Sequence, residues 1–167
     1  MRAVLQSIKD TPITIGFLKS RVPQGVKVVS YKRLKNRTRE EVFKNRKPII
    51  VLIPKKGETT GHFIVLLPWP KGIEYFSSLG GSPQDELAKL NEPLSIMTSL
   101  LGRKWSYNRT ALQSGKYNIQ TCAAWCLARV KLRRLRLREF QSLFTRNTLN
   151  SPDDVVALMT LLDFAAK

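Results

Sequence analysis

Uninterrupted apolar runs divide this chain before any other feature does. Residues 48–53 (Pro48-Ile49-Ile50-Val51-Leu52-Ile53) and 63–67 (Phe63-Ile64-Val65-Leu66-Leu67) are rich in β-branched residues and short, the pattern of strands buried on both faces. Residues 73–76 give a third strand after a turn over 68–72, and Leu79-Gly80-Gly81-Ser82-Pro83 ends it. These three predict an antiparallel meander, with a polar loop over 55–61 joining the first two and His62 at the mouth of the middle strand. Residues 26–31 read as a further strand, and 104–108 as one that returns to the sheet. Residues 11–18 leave a capped short helix and an extended segment both open.

Helical periodicity takes over elsewhere. Residues 38–43 predict a short helix with Thr38 as N-cap and Glu41 completing a capping box, and Pro48 ends the segment soon after. Residues 85–90 and 94–101 predict two more short helices. From Thr121 onward Ala124, Leu127, Val130 and Leu132, with Leu135 beyond, alternate with Arg and Lys, predicting a long helix with one apolar and one basic face. Ser151-Pro152-Asp153-Asp154 opens the last helix, with Ser as N-cap, Pro at the first helical position and two acids in the first turn.

At 167 residues, with 43% apolar residues, the chain suits a single globular domain over 1–167 and excludes a disordered one. There is no internal repeat and no low-complexity linker. Apolar runs stay far below the ~20 residues of a membrane span, and residues 1–10 are too polar for a secretory signal, so neither membrane association nor secretion is expected. Charge changes the picture more. Twenty-nine Lys and Arg against twelve Asp and Glu give a net +17, more than solubility needs, which points to a polyanion and most directly to nucleic acid. The excess gathers in residues 27–47 and 129–138. Lys32, Arg33, Lys35 and Arg37 in the first, and Arg133, Arg134, Arg136 and Arg138 in the second, are the candidate phosphate contacts. The less favoured alternative for the basic face over 129–138 is the solvated face of a helix.

Chemistry-bearing residues are few. The chain has one histidine, His62, and two cysteines, Cys122 and Cys126. These are too few for a zinc site, and cysteines four apart on a helix are poorly placed for a disulfide, which suits a reducing compartment. Cys122 falls in the predicted first helical turn, where the dipole lowers a thiol pKa, and a lone imidazole can act as its base. A cysteine hydrolase is therefore the leading chemistry, with the Cys122 backbone N–H available to an oxyanion. Cys126, one turn on, is expected in the core. Gln113 is the candidate second oxyanion donor, with Gln120 as its rival.

The order Gly61-His62-Phe63, then a strand ending in Phe76-Ser77-Ser78-Leu79-Gly80, then Gln113, then the Cys122-x-x-x-Cys126 helix resembles the adenovirus protease (adenain) family. Relatives of that family occur in virophages and Polinton-type elements, and more distantly among SUMO-specific proteases. The resemblance runs from about residue 26 to the last helix. It implies a papain-like α+β fold, with a mostly antiparallel sheet packed on a central helix that carries the nucleophile. It also implies a monomeric viral endopeptidase that trims capsid or core precursor polypeptides in the virion, the host-cell nucleus or a cytoplasmic virus factory. His62 would be the base, Cys122 the nucleophile and Gln113 the oxyanion donor. No small-molecule cofactor or metal is implied; DNA would act as an activating polyanion.

Three features depart from the family pattern. Ser77 stands where the family carries the triad acid; a hydroxyl accepts the imidazole N–H but brings no charge. Glu74 is a poor substitute, because strand alternation puts it on the opposite face from Ser77. Ala123 replaces the glycine that follows the nucleophile, and no further cysteine exists to bind an activating peptide through a disulfide. Two other readings remain: a ubiquitin-like-protein isopeptidase of the same fold, and a basic DNA-binding virion protein with little or no turnover, for which Ser77 is the main support.

Overall fold

The computed structural model describes residues 2–55, 61–115, 119–146 and 151–165; the polar loop expected between the first two meander strands lies largely outside them. Among the described residues the strands form one five-stranded sheet in chain order: β1 (Lys27–Ser30), β2 (Ile49–Pro54), β3 (Gly61–Trp69), β4 (Gly72–Ser77) and β5 (Trp105–Tyr107). The expected meander is there, with β2–β3 and β3–β4 antiparallel. The sheet is nevertheless mixed rather than mostly antiparallel, since β1 runs parallel to β2 and β5 parallel to β4. Parallel neighbours need a crossover. One crossover carries the 3₁₀ turn Tyr31–Leu34 and α3 (Arg39–Val42); the other carries α4 (Pro83–Lys89) and α5 (Leu94–Leu101).

Both faces of the meander are buried, which is why its strands read as unbroken apolar runs. Ile50, Leu52, Phe63, Val65, Leu67 and Phe76 form one core with α6 (Cys122–Lys131), α7 (Leu137–Thr145) and α8 (Pro152–Ala165). Ile49, Val51, Ile53, Ile64, Leu66, Ile73 and Tyr75 form the other with Leu87 of α4, Met97 and Leu100 of α5, and Tyr31 and Leu34. The molecule is thus an α+β fold with the sheet between two helical layers.

Local signals held where capping chemistry was explicit. Thr38 and Glu41 close the capping box of α3, and Ser151 Oγ accepts the Asp154 N–H at 3.2 Å as α8 begins. The ambiguous 11–18 segment resolves into α2 (Ile15–Arg21), capped by Thr14, whose hydroxyl accepts the Phe17 N–H. Preceding it is α1 (Arg2–Asp10), a helix that the polar character of residues 1–10 does not announce.

The long helix with a basic face is not formed. α6 stops at Lys131, and α7 starts anew after a turn. The reason lies in Arg129, which is fully buried: Nε and Nη2 donate to the two Glu74 carboxylate oxygens at 2.7 and 2.9 Å, and Nη1 donates to the Leu132 carbonyl at 3.2 Å. α7 then folds back so that Phe144 and Phe140 pack edge-on against Trp125, with centroids 4.6 and 6.5 Å away. Among the described residues no helix is long and apolar enough to cross a membrane.

Candidate active site

Cys122 is the first residue of α6, with Thr121 at the N-cap position. It is half-buried and lines a cavity of about 470 Å³ together with Leu52, Phe63, Gln120 and residues 12–16, which run from the α1–α2 connection into the start of α2. α6 packs against β3, which brings the sulfur within hydrogen-bonding reach of the Phe63 backbone N–H, one residue along from His62. The Ala123 and Cys122 N–H groups also face the sulfur, as a helix N-terminus provides. These donors favour thiolate, yet burial outweighs them and pushes the Cys122 thiol up, the reverse of the lowered pKa expected from the dipole alone. Cys126 is wholly buried, as expected, and its thiol is pushed higher still.

His62 sits inside β3 rather than before it, paired with Ile53 across the ladder. Gly61 leaves room for that pairing, because a Cβ there would collide with the Ile53 carbonyl. The imidazole is largely buried, and desolvation pushes its pKa down to about 4, so it rests neutral. His62 and Cys122 share no hydrogen bond among the described residues; His62 instead bonds Ser77 at the end of β4, Nε2 to Oγ at 2.9 Å. Ser77 is the last residue of β4.

Behind Ser77 lies a group the sequence reading missed. Ser77 Oγ donates to Glu86 Oε1 at 2.5 Å, and Glu86 Oε2 is 3.7 Å from His62 Nε2. Glu86 comes from α4, whose start is set by Ser82 as N-cap and Pro83. Its carboxylate also accepts the Tyr75 hydroxyl at 2.6 Å and the Gly81 N–H. Gly81 leaves room for this approach, since a Cβ there would lie 2.8 Å from the Glu86 side chain and push it aside. Burial pushes the Glu86 pKa up, against the pull of the Ser77, Tyr75 and Gly81 donors. Asn108 fixes the Ser77 backbone, accepting its N–H at 2.9 Å and donating to its carbonyl at 2.6 Å. Glu74 takes no part here, being bound to Arg129 on the other face.

Gln113 is drawn to the same end of β4. Its backbone N–H donates to the Ser78 carbonyl at 3.0 Å, its Oε1 accepts the Ser78 hydroxyl at 2.7 Å, and its Nε2 donates to the Ile119 carbonyl at 2.9 Å. That ties the amide to the segment three residues ahead of Cys122 while using one of its two hydrogens. Gln120 lines the cavity itself, with its backbone N–H bonded to the Lys9 carbonyl at 2.7 Å. Asp153 of α8 pins this segment from below: it accepts the Ser114 N–H, the Thr121 hydroxyl and the Trp125 indole N–H at 2.7, 2.6 and 3.1 Å. Among the described residues no group of three or more His, Cys, Asp or Glu side chains is placed to hold a metal.

The two basic sets are not brought together. Lys32, Arg33, Lys35 and Arg37 are exposed beside the Tyr31–Leu34 turn, which packs on one face of the sheet. On the other face, Arg134 and Arg136 are exposed and Arg133 half-buried between α6 and α7, and Arg138 is exposed in the first turn of α7, with the Arg133 guanidinium donating to the Val130 carbonyl at 3.4 Å.

No family model matches the chain. It is similar to "Uncharacterized protein V9" of Sputnik virophage, with 27% identity over 127 residues, which cover 66% of this chain and 72% of that protein.

Proposed function

We propose that this protein is a cysteine endopeptidase of viral type, with the papain-like arrangement of the adenain family, that trims capsid or core precursor proteins during virion maturation. One observation carries the reading: a neutral imidazole on β3 is anchored at the end of β4, one residue along from the point where the Cys122 sulfur meets that same strand. The similarity to a virophage protein supports a viral setting. The exposed basic groups support stimulation by DNA.

Chemistry follows from the resting protonation states. With the thiol raised and the imidazole lowered, both are neutral before substrate arrives. The cavity beside Cys122 takes the peptide, and His62 removes the thiol proton as Sγ bonds to the scissile carbonyl carbon. Hydrogen bonds of this kind often tighten only when substrate is bound, which is consistent with an unmade His62–Cys122 contact. The oxyanion is held by the Cys122 N–H and the free amide hydrogen of Gln113. His62 returns its proton to the leaving amine as the C–N bond breaks, and water activated by His62 releases the acyl group from sulfur.

A second reading, a basic virion protein without turnover, draws on that same unmade contact. Alkylation separates the two. Iodoacetamide labelling of Cys122 should follow a pH profile that depends on His62 and changes in His62→Ala, and a co-encoded capsid precursor should be cleaved by wild type but not by Cys122→Ser. Labelling at the free-thiol rate with no His62 dependence would leave only the binder.

A further inference from the structure

Ser77 cannot by itself do what a carboxylate does for an imidazole, and its own hydrogen bonds show where the missing charge is. A serine hydroxyl has one proton and two acceptor positions. The Ser77 proton is committed to Glu86 Oε1 at 2.5 Å, and its oxygen already accepts the Leu79 N–H at 3.2 Å. With Glu86 ionised, the remaining contact, His62 Nε2 at 2.9 Å, is a donation from the ring, which puts the proton on Nε2 and leaves Nδ1 bare.

We infer that Glu86 is the positioning residue for His62, acting through the Ser77 hydroxyl to hold the imidazole in its Nε2–H form and to balance the imidazolium that forms when the thiol is deprotonated. This rests on the reading of Cys122 and His62 as nucleophile and base. Three donors, from Ser77, Tyr75 and Gly81, converge on the Glu86 side chain, and an ionised carboxylate accepts from all of them without rearrangement. A carboxamide would turn two of its own hydrogens towards one side of that set and force the Ser77 hydroxyl or the Tyr75 hydroxyl to turn. Separated by 3.7 Å and largely shielded from water, Glu86 Oε2 and His62 Nε2 attract strongly once the ring is charged. The acid has thus moved from the strand end to the following helix, with a hydroxyl bridging the gap.

A merely structural clamp between α4 and β4 would use the same bonds, so the test must read charge at Cys122. The titratable and charged groups that feel the Glu86 charge are Tyr75 from β4, Lys89 from α4, and Cys122 and Cys126 from α6. Acting only through its field, Glu86 disfavours the Cys122 thiolate. Acting through the imidazolium, it favours the thiolate. The two roles therefore shift the alkylation profile in opposite directions.

The measurement is the pH dependence of iodoacetamide labelling of Cys122 in the whole chain, with peptide hydrolysis alongside. In Glu86→Gln the labelling midpoint should rise and kcat/KM should fall on the order of 100-fold, less than the ~10⁴-fold loss when a serine-hydrolase carboxylate is neutralised, because a thiolate itself supports the imidazolium. Ser77→Ala, which keeps the carboxylate but cuts the bridge, should raise the midpoint too. The double variant Ser77→Asp/Glu86→Gln, which moves the charge next to His62, should restore it. A midpoint that stays or falls in Glu86→Gln overturns the inference; if that variant does not fold, Ser77→Ala decides by the same criterion. A wild-type thiol that labels at the free-thiol rate, with no dependence on His62, overturns the enzyme reading beneath it.

Discussion

His62 shows how one residue's surroundings can outweigh its intrinsic chemistry. In water an imidazole titrates near pH 6.5. Here burial lowers it to about 4, so between those values the unfolded chain takes up a proton that the native ring refuses. The neutral ring is compatible with full stability above pH 6.5, and stability is lost as the pH falls from there towards 4. With 2.5 pH units between the two values, the loss is on the order of 3 kcal/mol if the ring stays buried. Glu86 acts in the opposite sense: its raised pKa favours the native state at low pH and gives that up as the pH rises. The two are separated by difference. Urea midpoints measured from pH 7 to 4 should fall for wild type and fall distinctly less for His62→Asn, whose side chain carries no titrating group. Equal slopes for the two proteins would mean that the ring is solvated. Cys122 carries the same lesson, because helix donors favour its thiolate while burial pushes the other way and wins.

Elements meet in this protein through polar side chains that no local pattern announces. β4 and α6 are joined by the fully buried Arg129 and Glu74, with Trp69 donating its indole N–H to the same carboxylate at 3.2 Å and the Phe140 ring 5.0 Å from the guanidinium carbon. Removing one partner leaves a buried charge uncompensated, so Arg129→Ala should destabilise by about 3–5 kcal/mol, whereas Arg129→Met with Glu74→Leu should lie much closer to wild type. Chemical denaturation of the two variants checks this; similar losses would show that packing rather than stranded charge sets the cost. This pair also explains what the sequence could not disclose. The meander strands and the openings of α3 and α8 were legible because apolar runs and capping residues act within a few positions. α7 had a readable signal in Leu137, Phe140 and Phe144 at helical spacing, masked by the surrounding arginines. Arg129 read as solvated because its partner is 55 residues away. Glu86 was invisible for the same reason: His62, Cys122, Gln113 and Ser77 carry recognisable types in a recognisable order, while an acid on a short helix gains its meaning only when α4 folds back over the end of β4.

Across the whole molecule, the +17 charge is distributed by the layering of helices about the sheet. Lys32, Arg33, Lys35 and Arg37 belong to the layer on one face, and Arg133, Arg134, Arg136 and Arg138 to the layer on the other. A single stiff duplex lying against one set cannot also lie against the other, so the two sets do not act as one stripe. For the proposed DNA contact the first set is the better candidate, because all four of its cations are exposed, whereas Arg133 is half-buried with its guanidinium engaged by a backbone carbonyl. Each phosphate neutralised contributes roughly −0.9 to the slope of log affinity against log salt. Replacing the four cations of the first set by Gln should therefore make the slope shallower by about 3 to 4 if all four touch phosphate. Replacing Arg133, Arg134, Arg136 and Arg138 should change it much less. Titrations of a short duplex at several salt concentrations give both slopes. A larger change from the second set would move the footprint to the α6–α7 side, and equal changes from both would mean that the attraction comes from net charge alone, with no footprint at all.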